Sequence, residues 1–152
     1  MKVQIAKGLA MLLVTLALAA ASAVVANGQS KPHLVANVPF EFVVADKTFG
    51  AGEYQVGSID RSGETIAIRN TAGDSAIRLS SARERRDSDR AAKLVFHRYG
   101  STYFLSQVWM AGETSGRELP RSAQERALQR EVQKIAATKL TYEVVEIAAI
   151  MR

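Results

Sequence analysis

A chain of 152 residues with 20 basic side chains, 15 acidic ones and no cysteine has room for one core-forming domain. The missing thiols exclude disulfide frameworks, thiolate metal sites, cysteine nucleophiles and a lipid-bearing cysteine behind a leader. The formal charge of +5 is modest, and no recognition helix or aromatic RNA-binding pattern accompanies it, so no nucleic-acid partner is expected.

The first 26 residues are unlike the rest. Lys2 and Lys7 flank a positive start, Gly8 to Ala21 is almost wholly apolar, and small residues follow through Ala26. That layout predicts a secretory signal peptide over residues 1–26, with cleavage after Ala23 or Ala26. An uncleaved anchor is the competing reading, although the apolar run is short for a full span. Cleavage after Ala26 removes two basic residues and no acid, leaving 18 basic against 15 acidic groups, or +3. A secreted or periplasmic bacterial protein is expected, with no membrane span once the leader is gone.

Residues 27–33 are polar, contain Pro32 and read as a mobile lead into one β-rich domain over 34–152. Leu34 to Val38 and Phe40 to Val44 are strand-like pieces separated by Pro39, which suggests an edge or a bend. Asp46 and Lys47 turn the chain, and Gly50 and Gly52 mark a tight approach. Strands follow at Tyr54 to Ile59, Thr65 to Arg69 and Ser75 to Leu79, with Ile66 and Ile68 sharing one face and Ile77 and Leu79 sharing another. Connections this short predict antiparallel neighbours.

Ser80 to Ala92 breaks the rhythm by setting Arg83, Arg85, Arg86 and Arg90 among Glu84, Asp87 and Asp89. It reads as a solvated loop, or more sharply as an anion-binding lip of arginine forks, which the interleaved acids weaken. Lys93 to Trp109 then holds the densest run of bulky residues and predicts a long hairpin turning at Gly100 and Ser101. In that register Arg98 faces Tyr103, Phe96 faces Leu105 and Leu94 faces Gln107. One side then carries Leu94, Phe96, Tyr103, Leu105 and Trp109, and the other Val95, His97, Tyr99, Phe104 and Val108. A three-residue loop would slip the pairing, but both sides are apolar under either register and both need cover.

The predicted cover is a helix over about 122–138. Ser122 and Glu125 have capping-box spacing, with Pro120 just upstream. Leu128, Val132 and Ile135 form an apolar stripe, while Arg126, Arg130 and Lys134 form a basic one beside it. Leu140 to Ile150 reads as a closing strand, with a continued helix as the alternative. The fold expected is mainly β: a compact antiparallel β-sandwich or open barrel with one helix in the C-terminal half.

Val38-Pro39-Phe40-Glu41-Phe42, Gly50-Ala51-Gly52-Glu53-Tyr54, Lys93 to Gly100, Tyr103 to Trp109 and Gly116-Arg117-Glu118-Leu119-Pro120 resemble segments of a family of short, signal-bearing acidobacterial proteins of unknown function. The family pattern has proline where Gly50 stands, so this turn departs from it. The resemblance spans most of the mature chain and implies a small exported β domain. It brings no catalytic residues with it.

Motifs for chemistry are scarce. Two histidines, His33 and His97, are too few for a multi-histidine metal site, and no nearby carboxylates complete a mixed one. Gly112 to Gly116 resembles a nucleophile elbow with threonine at its centre, but no histidine follows it. Gly50-x-Gly52 does not continue into a dinucleotide loop. No cofactor is implied. The residues therefore point to a non-enzymatic binding or structural module that contacts an anionic envelope glycan or lipid through Arg83, Arg85, Arg86, Arg90, Arg126, Arg130 and Lys134. The alternative is a small hydrolase or ligand pocket centred on His97, Arg98, Tyr99 and Tyr103.

Overall fold

Pro39 interrupts the first extended stretch, and the interruption sends its two halves into different sheets. The computed structural model describes residues 32–85, 90–135 and 142–152. The predicted leader, the lead up to residue 31, Arg86 with its neighbours through residue 89, and segment 136–141 lie outside the described residues.

In chain order the strands are β1 (Leu34–Val38), β2 (Phe42–Val44), β3 (Lys47–Phe49), β4 (Gly52–Ser58), β5 (Thr65–Asn70), β6 (Ser75–Leu79), β7 (Ser81–Glu84), β8 (Lys93–Tyr99), β9 (Thr102–Trp109) and β10 (Ser115–Glu118). The helix α1 (Ala123–Ile135) follows, and then β11 (Glu143–Ala148) and β12 (Ile150–Met151). The protein is mainly β, with two sheets, one helix among the described residues and no closed barrel. A five-stranded antiparallel sheet runs β12-β1-β4-β5-β6. A seven-stranded sheet runs β11-β8-β9-β10-β7, with β2 pairing in parallel to the first half of β9 and carrying β3.

Alternation places one shared core between the sheets. Leu34, Val38, Tyr54, Val56, Ile66 and Ile68 come from the five-stranded sheet, and Phe42, Phe49, Leu94, Phe96, Leu105 and Val108 from the seven-stranded one. A fully buried side chain of this size contributes roughly 1.5–3 kcal/mol. The aromatic rings interlock edge to face: the Phe42 ring lies 4.9 Å from Tyr54 and 5.3 Å from Phe96.

The β8–β9 hairpin begins in the expected register, with Arg98 opposite Tyr103 and Phe96 opposite Leu105. It then shifts, because Val95 faces Gln107 and Leu94 faces Val108. Ser106 is the extra residue of a bulge, and the Leu119 N–H anchors it by donating to the Ser106 carbonyl at 2.8 Å. The consequence is a swap beyond the bulge. Val108 joins the inter-sheet core and Trp109 goes to the outer side, the reverse of the unbulged pattern.

Two other segments depart from expectation. Ser81–Glu84 is an edge strand paired to β10, not a loop. It needs no apolar alternation because all four of its side chains are exposed. The turn after β2 falls on Ala45 and Asp46, both at positive φ (53° and 63°), rather than on Asp46 and Lys47. The closing segment is a strand that changes sheets. β11 pairs with β8, Ala149 N–H donates to Ala92 O, and β12 crosses to pair with β1.

Candidate functional site

The outer side of the seven-stranded sheet presents Val43, Tyr99 and Phe104, and α1 covers it with Leu128 and Val132. Two caps hold the helix start. Ser122 Oγ accepts the Glu125 N–H at 3.0 Å, and Asp46 Oδ1 accepts the Gln124 N–H at 3.1 Å. The Gln124 N–H is the main reason the Asp46 carboxyl sits below its ordinary pKa. The positive-φ turn at Ala45–Asp46 therefore serves the helix, because it places that carboxylate.

Only half of the predicted capping box is used as such. The Glu125 side chain turns into the sheet, where it is 4% exposed and receives His97 Nδ1 at 2.8 Å and the Tyr99 hydroxyl at 3.3 Å on the same Oε1. Arg121 Nε lies 3.6 Å from that oxygen. Facing a carboxylate, the His97 Nδ1 is the donor. Burial, followed by the neighbouring Glu125 charge, pushes the Tyr99 phenol above its ordinary pKa, so it remains a donor. Tyr142 closes the cluster, with its ring 4.0 Å from His97 and 5.6 Å from the Arg121 guanidinium. This cluster clamps α1 to β8.

The four residues of the predicted pocket do not converge. His97 and Tyr99 are buried under α1, whereas Arg98 and Tyr103 point to the opposite side of the hairpin. There the Arg98 guanidinium lies 5.5 Å from the Tyr103 ring, Tyr103 stacks on Phe40 at 3.9 Å, and Arg98 pairs with Glu143 at 3.1 Å.

The predicted basic residues divide into two sets. Arg83 is ion-paired with Glu118. Arg85 is half-buried over the Trp109 ring at 4.8 Å and donates to the carbonyls of Ala91 and Met110. Trp109 in turn lies against Gly116, where a Cβ would overlap the ring. Arg90 is exposed, and Arg86 lies outside the described residues. On α1, by contrast, Arg126, Arg130 and Lys134 are all exposed. Among the described residues none of these three has a carboxylate within ion-pair distance; Arg126 donates to the Arg121 carbonyl and Arg130 to the Arg126 carbonyl.

Sequence reading missed Asp46, Arg121 and Tyr142 as members of the clamp, and it saw Glu125 only as a cap. The Ser122–Glu125 spacing was the one available signal. Among the described residues no three His, Asp or Glu side chains are grouped to hold a metal ion, and no helix is long and apolar enough to cross a membrane. No protein-family model, curated protein or solved structure matches the chain.

Proposed function

We propose that the protein is an exported, non-enzymatic binding module whose contact surface is the solvent face of α1, carrying Arg126, Arg130 and Lys134. The observation that carries this reading is that three exposed cations share one helix face with no carboxylate in ion-pair distance among the described residues, whereas Lys47, Arg83, Lys93, Arg98 and Arg121 each have one. Four-residue steps at 1.5 Å rise set the three cations in a row about 12 Å long. The Glu125 clamp gives that row a fixed base. An anionic envelope component, glycan or lipid, suits such a row, and the leader-like start at residues 1–26 supports a periplasmic or secreted setting. The resemblance to short exported acidobacterial proteins agrees with it.

The test titrates the protein with vesicles of anionic or neutral lipid and, separately, with an anionic polysaccharide, at rising salt. Binding to one anionic partner that falls steeply with salt and is lost in the Arg126→Gln, Arg130→Gln, Lys134→Gln triple variant is the expected result. Salt-insensitive binding, or an unaffected triple variant, removes the proposal.

A further inference from the structure

The outer side of the five-stranded sheet has no helix over it among the described residues. Among the described residues, four of the five exposed large hydrophobic side chains, Ile59, Ile77, Leu79 and Ile150, lie on that side, with Ile77 and Leu79 the most open at 61% and 67%. Register explains why Ile77 and Leu79 share it. Ile66 and Ile68 face the core, so their partners Arg78 and Ala76 face inward and Ile77 and Leu79 must face out. Gly57, Ala67 and Ile77 form one row across β4, β5 and β6. The two small residues of that row help form a recess of about 320 Å³ beside the apolar ridge.

β6 is also the last strand of its sheet. Asn70 N–H donates to Asp74 O and Ser80 N–H to Glu64 O, which makes those two pairs hydrogen-bonded. Counting by twos along the register, Arg78 and Ala76 direct their backbone groups toward β5. Ser75, Ile77 and Leu79 therefore direct theirs outward, to an edge with no neighbouring strand among the described residues. The other long edges carry charges: Arg83 and Glu84 on β7, Glu143 and Glu146 on β11. Arg78, the charged residue of β6, is half-buried on the core side. An unguarded edge with apolar side chains is a template for another strand.

We infer that the partner is a second copy of this chain, joined β6 to β6 in antiparallel fashion about a two-fold axis at Ile77. The outward set is symmetric about Ile77, so the register satisfies itself. Ile77 exchanges both of its bonds with Ile77 of the other copy, and Ser75 does so with Leu79, leaving no outward group of the three unpaired. Arg78 then faces Ala76, so no like charges oppose each other. The apolar ridges of the two copies become continuous.

The absence of cysteine allows a direct test. In the proposed register residue 77 faces itself with Cα atoms about 5.5 Å apart, within the span a disulfide bridges. Ile77→Cys should therefore oxidise to a covalent dimer. Ser75→Cys alone should not, since its counterpart would be about 14 Å along the strand, but Ser75→Cys mixed with Leu79→Cys should. By sedimentation the unmodified protein should reach twice the mass of one chain as concentration rises. Ile77→Lys should stay monomeric with unchanged circular dichroism, and Val144→Lys on β11 should dimerise as before. A chain that remains monomeric, whatever foreign peptides β6 binds, overturns the inference. So does a dimer that Val144→Lys dissociates and Ile77→Lys does not.

Discussion

The two sheets share a core but treat their outer sides in opposite ways. On the seven-stranded sheet, Val43, Tyr99 and Phe104 are buried beneath Leu128 and Val132 of α1. On the five-stranded sheet, Ile59, Ile77, Leu79 and Ile150 stand in solvent. Apolar content alone does not explain the difference. The covered side also buries polar groups, His97, Tyr99 and Glu125, which satisfy one another across the strand–helix interface. The uncovered side sets Ile77, Leu79, Gly57 and Ala67 among Gln55, Thr65, Arg69 and Ser75, and among the described residues no helix is clamped over it. A helix is thus fixed where a directional network holds it, and the aliphatic surface is left for association.

The largest expected effect comes from breaking the clamp. Glu125→Ala leaves His97 and the Tyr99 hydroxyl buried without their acceptor and frees the first turn of α1. Each buried donor left without its acceptor costs about 1–3 kcal/mol, and here two are left at once. Chemical denaturation should show a loss of that size, and amide exchange should rise in α1 before it rises in β1 or β4. Equal loosening of both sheets would mean that the helix is not a separable cover.

Val43→Thr is expected to come next. Val43 is 4% exposed against Tyr99, Phe104 and the helix stripe, and a hydroxyl buried there without a partner costs about 1–3 kcal/mol. The shape of the side chain is kept, so the loss reports the dryness of the interface. A change indistinguishable from zero would indicate that water reaches the underside of α1.

How much of this could be read from the residues depended on whether the deciding contact was local. The turn at Gly100–Ser101 and the initial register followed from local chemistry, as did the helix start at Ser122. The bulge at Ser106 did not, because its anchor is the N–H of Leu119, outside the hairpin. Without it, Val108 and Trp109 were assigned to each other's sides. Period-two alternation placed Ile77 and Leu79 together, but periodicity does not tell inside from outside; the pairing of Arg78 with core-facing Ile66 does. Glu125 was visible as a cap, while its bond to His97 spans 28 residues and belongs to tertiary packing.

Ile77→Thr makes the same kind of change on the uncovered side and should have the smallest effect on the folded chain. At 61% exposure Ile77 gives up little buried surface, and threonine keeps the β-branch that suits a strand. A surface replacement of this kind is expected to stay within about 0.5 kcal/mol. The comparison with Val43→Thr has to be made on dilute protein, since association at β6 would stabilise the unsubstituted chain by mass action and enlarge the apparent cost. That dependence sharpens the contrast between the sheets. If Ile77→Thr is silent when dilute and destabilising when concentrated, the exposed aliphatic side is in use between molecules. If its cost is independent of concentration and matches that of Val43→Thr, the two outer sides are equally buried and the distinction between them fails.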